Sequence, residues 1–256
     1  MEAMMAAIRA GDYAAAHQAL TQVAEVDPTI RAGIGAFLLA LAERFDDAEQ
    51  VLRDAELPAL EVIVRGERQR LARWRDPAAN GSLTATSETT AIPLHVAIAC
   101  AFVHDNEDLA NQAKTRLATG DPIAGQLTLH SGETRRFKDI TDSDDAIGRM
   151  LETYCGDGLL YFPFNSLRRV EVLPKTSFMD HLMPKVQITD EHGTALAYVP
   201  LLYAGSSSSP SPELRSGRTT VFQYLGEARR GHGQRDLMVD GGGLVGWHVI
   251  SAIDFD

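Results

Sequence analysis

The chain has 256 residues, 45% hydrophobic and 23% charged, which is enough for one large or two small domains with a real core. A formal net charge of −11 disfavours general binding to nucleic acid or to an anionic membrane surface. Two cysteines are too few for a disulfide framework or a thiolate zinc site.

The first residues lack a basic stretch followed by an apolar run, so no signal peptide is expected. AMMAAIRA reads as a helix ending at Gly11, and Asp12 is placed to cap a second one, DYAAAHQALTQVA. Asp27-Pro28 starts a third, in which Ile34, Phe37, Leu38 and Leu41 recur at helical spacing. Its apolar run, Gly33 to Ala42, is about half of what crosses a bilayer, and a cytoplasmic location is expected. GDYAAAHQAL (11–20) aligns with ERFDDAEQVL (43–52), close to the period of tetratricopeptide hairpins. A further hairpin is expected from 94–103 and 107–118, after a loop over 77–90. RGERQRLARWR (65–75) carries five arginines. On a helix Arg68 and Arg75 share a face, Glu61 can pair with Arg65, and a solvated face is expected.

The second half differs in kind. Residues 1–136 hold five aromatics and 137–256 hold twelve, with most of the strand-like alternation. ITDSDDAIGRMLETY reads as a helix capped by Asp142 or Ser143, with Asp144 and Asp145 in its first turn. LRRVEVL, KVQIT, ALAYVPLLY, VFQYL, DLMVD and VGWHVISAIDF read as strands, and SSSSPSP as a surface loop. The expected fold is α+β: tetratricopeptide-like helical hairpins over 1–125, then a mostly antiparallel β-rich part with at least one helix over 126–256.

No catalytic motif survives its context. GGGLVG (241–246) fits a dinucleotide fingerprint in spelling but has only ten residues after it, so a hairpin turn is expected. DSDD lacks the glycine and glutamate of a calcium loop. The eight histidines form no zinc motif, and a serine nucleophile elbow is absent. Cys155, or His232 with Asp236, leaves a hydrolase reading open, because these polar groups lie beside glycines. In GHGQR (231–235) a tight turn whose arginine pairs with a carboxylate is expected.

Several segments occur in an order that resembles one family. They are Asp142-Ser143-Asp144, Ile147-Gly148-Arg149-Met150-Leu151-Glu152, Tyr161-Phe162-Pro163-Phe164 and Phe178-Met179-Asp180-His181-Leu182. Tyr203-Ala204-Gly205-Ser206, Gly217-Arg218-Thr219, Gly233-Gln234-Arg235 and Ile253-Asp254-Phe255 follow. In that order and spacing the chain resembles the ImpE/TagJ family, the SciE-type accessory proteins of type VI secretion systems. It departs from the family pattern at Ala146–Arg149, at Leu160–Phe164 and at Phe178–Met183.

The resemblance implies a non-enzymatic cytoplasmic adaptor without cofactor or metal. It implies binding of the N-terminal segment of the small contractile-sheath subunit, near where the recycling ATPase engages it. Arg68, Arg75, Tyr161, Phe162, Phe164, Tyr203 and Arg235 are the candidate partner-binding residues; the three aromatics of 161–164 are expected to be mainly core, with one ring exposed to a partner. A helical-repeat scaffold with the C-terminal part as a cap is a third reading.

Overall fold

A computed structural model describes residues 1–79, 85–86, 91–176, 178–181 and 183–256. Most of the loop expected over 77–90, and Leu182 of the family-like segment, lie outside the described residues. The chain begins with α1 (Glu2–Arg9), α2 (Tyr13–Thr21), α3 (Pro28–Leu41), α4 (Phe45–Asp54) and α5 (Pro58–Arg75). The expected caps are in place. The Asp12 carboxylate accepts from the Ala15 N–H at 2.9 Å, and the Asp27 carboxylate accepts from Thr29 and Ile30. Helix α3 is apolar on both sides. Phe37, Leu38 and Leu41 pack with Met4, Ile8 and Leu20, while Leu39 and Ala40 pack with Ala48, Leu52 and Val64.

Two further helices, α6 (Ala91–His104) and α7 (Glu107–Leu117), form the other expected pair. The helices therefore fall where the sequence places them, but they do not continue as one repeat array. Helix α5 lies along two strands, and the α6–α7 pair lies against the β-rich half.

The second half contains β1 (Gly125–Leu129), β2 (Thr134–Phe137), β3 (Ile140–Asp142), β4 (Met150–Cys155), β5 (Gly158–Pro163), β6 (Leu167–Val172), β7 (Lys185–Asp190) and β8 (Thr194–Tyr198). A one-turn helix α8 (Pro212–Arg215) precedes β9 (Thr220–Leu225), β10 (Ala228–Gly233), β11 (Asp236–Val239), β12 (Gly243–Gly246) and β13 (Ile250–Phe255). Eight strands form one antiparallel sheet in the order β2-β1-β13-β6-β7-β8-β4-β5, and β10-β9 and β12-β11-β3 form two smaller ones. The GGGLVG segment is the expected hairpin, with β11 paired antiparallel to β12.

The helix expected over 142–154 is not formed. Asp142 ends β3, a turn follows, and Met150–Cys155 is the strand β4. The Asp142 side chain accepts from the Asp144 N–H, and the Asp144 side chain accepts from the Ala146 N–H, each two residues on. Aspartate offers this bond both to helix starts and to turns, and here the turn wins. Gly148 then takes a left-handed backbone (φ 55°) against the His95 ring of α6, where a Cβ would overlap the imidazole.

Strands β4 and β5 are covered on both faces. Leu151, Leu160 and Phe162 face a core built with Val170, Ile188, Trp247 and Ile253. Tyr154 and Leu159 face the other way, toward Ile63 of α5 and the α1–α3 core, so apolar packing crosses from the helical to the β-rich half.

Candidate functional site

The chemistry of the molecule concentrates under α5. Glu67, Arg70 and Arg73 lie three residues apart, with Trp74 beside them, and that spacing puts them on one helix face. Gly66 has no Cβ, which lets the Tyr154 ring of β4 lie directly against the helix. The face expected to be solvated is therefore split. Arg68 and Arg75 stay outside, while Arg70 and Arg73 are buried because their side of the helix rests on β4 and β5. The expected Glu61–Arg65 pair is present at 3.3 Å.

A continuous polar network runs inward from there. Arg70 donates from Nε and Nη2 to the two carboxylate oxygens of Glu67, at 3.0 and 2.9 Å, and from Nη1 to the Leu202 carbonyl at 2.6 Å. The Tyr154 hydroxyl donates to Glu67, and the Tyr161 hydroxyl donates to Glu152 Oε1 at 2.6 Å. Arg73 donates to the Tyr161 oxygen and, at 3.2 Å, to the Ala146 carbonyl. Arg235 is the deepest member. It and Asp142 are 0% exposed, and its Nε donates to Asp142 Oδ2 at 2.6 Å while its Nη1 donates to the Glu152 carbonyl at 3.2 Å.

The DSDD turn ties this network to the rest of the fold. Asp144 accepts from the Gly231 N–H at 3.2 Å, and Asp145 accepts from the Arg229 N–H at 2.9 Å and pairs with Lys114 of α7. The Ser143 N–H donates to the Asp236 carbonyl, and His95 bonds the Asp145 carbonyl at 2.8 Å. Arg230 lies over the Trp74 ring, 4.9 Å from its centroid, and donates to the Trp74 carbonyl.

Four guanidinium groups (Arg70, Arg73, Arg230, Arg235) and the Lys114 ammonium thus meet five buried carboxyl groups (Glu67, Asp142, Asp144, Asp145, Glu152). The balance matters because an unpaired buried charge costs several kcal/mol. Burial alone would raise the Glu152 carboxyl, but Arg235 and Arg70 overcome it and hold it below the usual range. Asp144 is pushed up to about 7 by burial, which Arg230 only partly opposes. His95 is pushed down to about 4 by burial, so its ring is neutral and donates from Nδ1 to the Asp145 carbonyl.

A cavity of about 230 Å³ adjoins this network at the junction of helices and strands. Arg70 and Gln234 contribute to its lining beside Tyr13, Leu41, Met183 and Leu202.

Five of the seven candidate partner-binding residues are interior. Tyr161, Phe162, Phe164, Tyr203 and Arg235 are all buried. Tyr161 and Arg235 belong to the charge network, Phe162 and Phe164 fill the sheet core, and the Tyr203 hydroxyl donates to the Asp236 carbonyl. No ring of 161–164 faces outward. Arg68 and Arg75 do, the first paired with Asp46 at 2.6 Å and lying over the Phe45 ring, the second paired with Glu43. The arginine of GHGQR pairs with a carboxylate as expected.

The buried charges themselves, Glu67, Arg70, Arg73, Asp144 and Glu152, are what sequence reasoning missed. Their one visible signal is the 67-70-73 spacing beside Gly66 and Trp74.

The hydrolase candidates lie in separate settings. Cys155 ends β4, its thiol donates to the Leu196 carbonyl, and burial raises its pKa. Asp236 accepts from Thr220 and Gln234 through its two oxygens, and His232, on β10, stands opposite Val221. Among the described residues no three His, Cys, Asp or Glu side chains are grouped to hold a metal ion, and no helix is long and apolar enough to cross a membrane.

The fold and site define an α+β protein whose distinctive polar residues cross-brace a helix and a sheet. Residues 134–252 match the model of the family described as ImpE protein. The matched region contains Asp142, Asp144, Glu152, Tyr161 and Arg235, the strand side of the network. The fold is similar to the crystal structure of protein VPA1032 from Vibrio parahaemolyticus, with a TM-score of 0.78 at 16% identity, covering 99% of this chain and 97% of that one. No curated protein matches the sequence.

Proposed function

We propose that the chain is a non-enzymatic accessory protein of a type VI secretion system. In this reading it binds the N-terminal segment of the small contractile-sheath subunit in the cytoplasm, near where the recycling ATPase engages it. The observation that carries the proposal is the ImpE match over 134–252. The geometry supports it in one respect: the residues that stand out in the motifs are occupied in bracing the fold, and among the described residues Cys155 bonds a backbone carbonyl while Asp236 bonds Thr220 and Gln234. Of the candidate contact residues, Arg68 and Arg75 are the ones whose side chains reach the surface, and the proposal assigns contact to them and support to the five interior ones.

A pull-down and a titration with the purified sheath subunit test the reading. Binding in the micromolar range that disappears when the subunit's N-terminal segment is deleted is expected. Absence of association, or binding indifferent to that deletion, contradicts it.

A further inference from the structure

The β9–β10 ribbon has one pinned edge and one open edge. On the β10 side, the Arg229 and Gly231 N–H groups donate to the carboxylates of Asp145 and Asp144. The Asp145 N–H returns a bond to the Arg229 carbonyl, and the Tyr203 N–H donates to the Gly233 carbonyl. On the β9 side no strand pairs among the described residues. An isolated two-stranded ribbon is marginal in water, but this one is held rigid from its inner edge and presents its outer one.

Exposed strand edges usually carry a charge, a proline or a cover. The other outer strands are short or protected: β2 bears Arg135 and Arg136, β3 and β12 are only three and four residues long, and β5 is bridged by Ala85, with the Thr86 N–H donating to the Tyr161 carbonyl. Strand β9, TVFQYL, carries none of these, and Val221 and Tyr224 are 47% and 65% exposed.

The hairpin turn fixes which backbone groups are available. Gly226 and Glu227 separate the closing pair Leu225–Ala228, and the closing pair of a two-residue hairpin is hydrogen-bonded. Leu225, Gln223 and Val221 therefore spend their N–H and C=O groups on β10, and those of Thr220, Phe222 and Tyr224 point outward.

We propose that β9 pairs antiparallel with β9 of a second copy of this chain, about a two-fold axis at Gln223. This register sets Phe222 opposite Tyr224 of the second copy, twice, as hydrogen-bonded pairs whose rings share one face. Val221 falls opposite Leu225 on the other face, and Gln223 meets its own equivalent. No charged residue within the strand meets a like charge. At each end, the Gly226–Glu227 turn of one copy meets the Arg218–Thr219 step of the other, which brings opposite charges together. The product is a four-stranded sheet, β10-β9-β9-β10, with neither β9 edge left open.

Sedimentation analysis of the full chain over a rising concentration series tests this, alongside Tyr224→Lys, an exposed position whose replacement leaves the core untouched. The unmodified chain is expected to reach twice its monomer mass. Tyr224→Lys is expected to stay monomeric at the same concentrations with an unchanged circular dichroism spectrum. Gln223→Cys is expected to form a disulfide-linked dimer on oxidation, because the axis holds the two side chains opposite each other. A chain that remains monomeric at the highest concentration, or a dimer that Tyr224→Lys leaves intact, overturns the proposal.

Discussion

The α3–α4 seam and the α5–sheet interface are both buried, yet they are built on opposite principles. The seam packs Ala36, Leu39 and Ala40 against Ala48 and Leu52, with Val64 of α5 closing one end, so its stability is the sum of many small apolar contacts. The interface under α5 holds buried arginines and carboxyl groups that bond to one another, to tyrosine hydroxyls and to backbone carbonyls. In the first, each residue matters by its volume. In the second, each matters because its loss strands a partner. Oil-like seams tolerate similar shapes, whereas a buried charge network tolerates no missing member.

The largest effect expected from this difference is that the helical half does not stand alone. A chain ending near residue 125 leaves Arg70 and Arg73 without Glu152 and Tyr161 and exposes the α5 face. Denaturant unfolding is expected to show no cooperative transition for this fragment, whereas a sharp one would support the independent helical scaffold.

Arg235→Met comes next. It abandons Asp142 at a position with no solvent access and is expected to cost about 3–5 kcal/mol in urea unfolding. Leu52→Ala in the apolar seam is expected to cost about 2–5 kcal/mol, the range for a buried leucine cut back to alanine. A loss under about 1 kcal/mol for Arg235→Met would erase the contrast between the two regions.

The pH profile sharpens the comparison. The folded chain holds Asp144 with a pKa of about 7, against about 3.9 when unfolded, so this group's destabilising contribution grows as pH rises through that window. His95 runs the other way. Its folded value of about 4 lies below the unfolded value of about 6.5, so stability falls as pH drops between them. The two oppose each other between pH 4 and 6.5, so their contributions to the slope there largely cancel. Asp144→Asn removes one of them, and stability is then expected to fall on acidification by up to about 1.4 kcal/mol per pH unit. A profile that stays flat in this variant would contradict the assignment.

The smallest expected effect belongs to the surface. Arg68→Ala removes an exposed pair and is expected to change stability by less than about 0.5 kcal/mol. Its reading comes from the sheath-subunit titration, where a weaker affinity is expected.

Much of this architecture was legible wherever local chemistry and tertiary role agree. Asp12 and Asp27-Pro28 start their helices because side-chain capping is a property of a few adjacent residues. Strands β6, β7, β9 and β11 were found because they lie in runs rich in β-branched and aromatic residues between turn signals. Strand β4 was not, because both of its faces are covered: Leu151 points into the sheet core and Tyr154 toward α5, which removes the alternation a half-wet strand shows. Asp142 and Asp144 misled for a different reason, since one side-chain bond serves both a helix start and a turn. The arginines of α5 looked alike in sequence, and only the docking of the sheet on one side of the helix separates Arg70 and Arg73 from Arg68 and Arg75.

The central claim is that α5 is fastened to the sheet by the buried charge network rather than by apolar contact alone. A double-mutant cycle on Glu67→Gln in α5 and Tyr154→Phe in β4, read by urea unfolding, tests it most directly. A coupling energy of about 1 kcal/mol or more between the two sites is expected, whereas losses that add to within about 0.3 kcal/mol would show the helix and strand to be held independently of that bond.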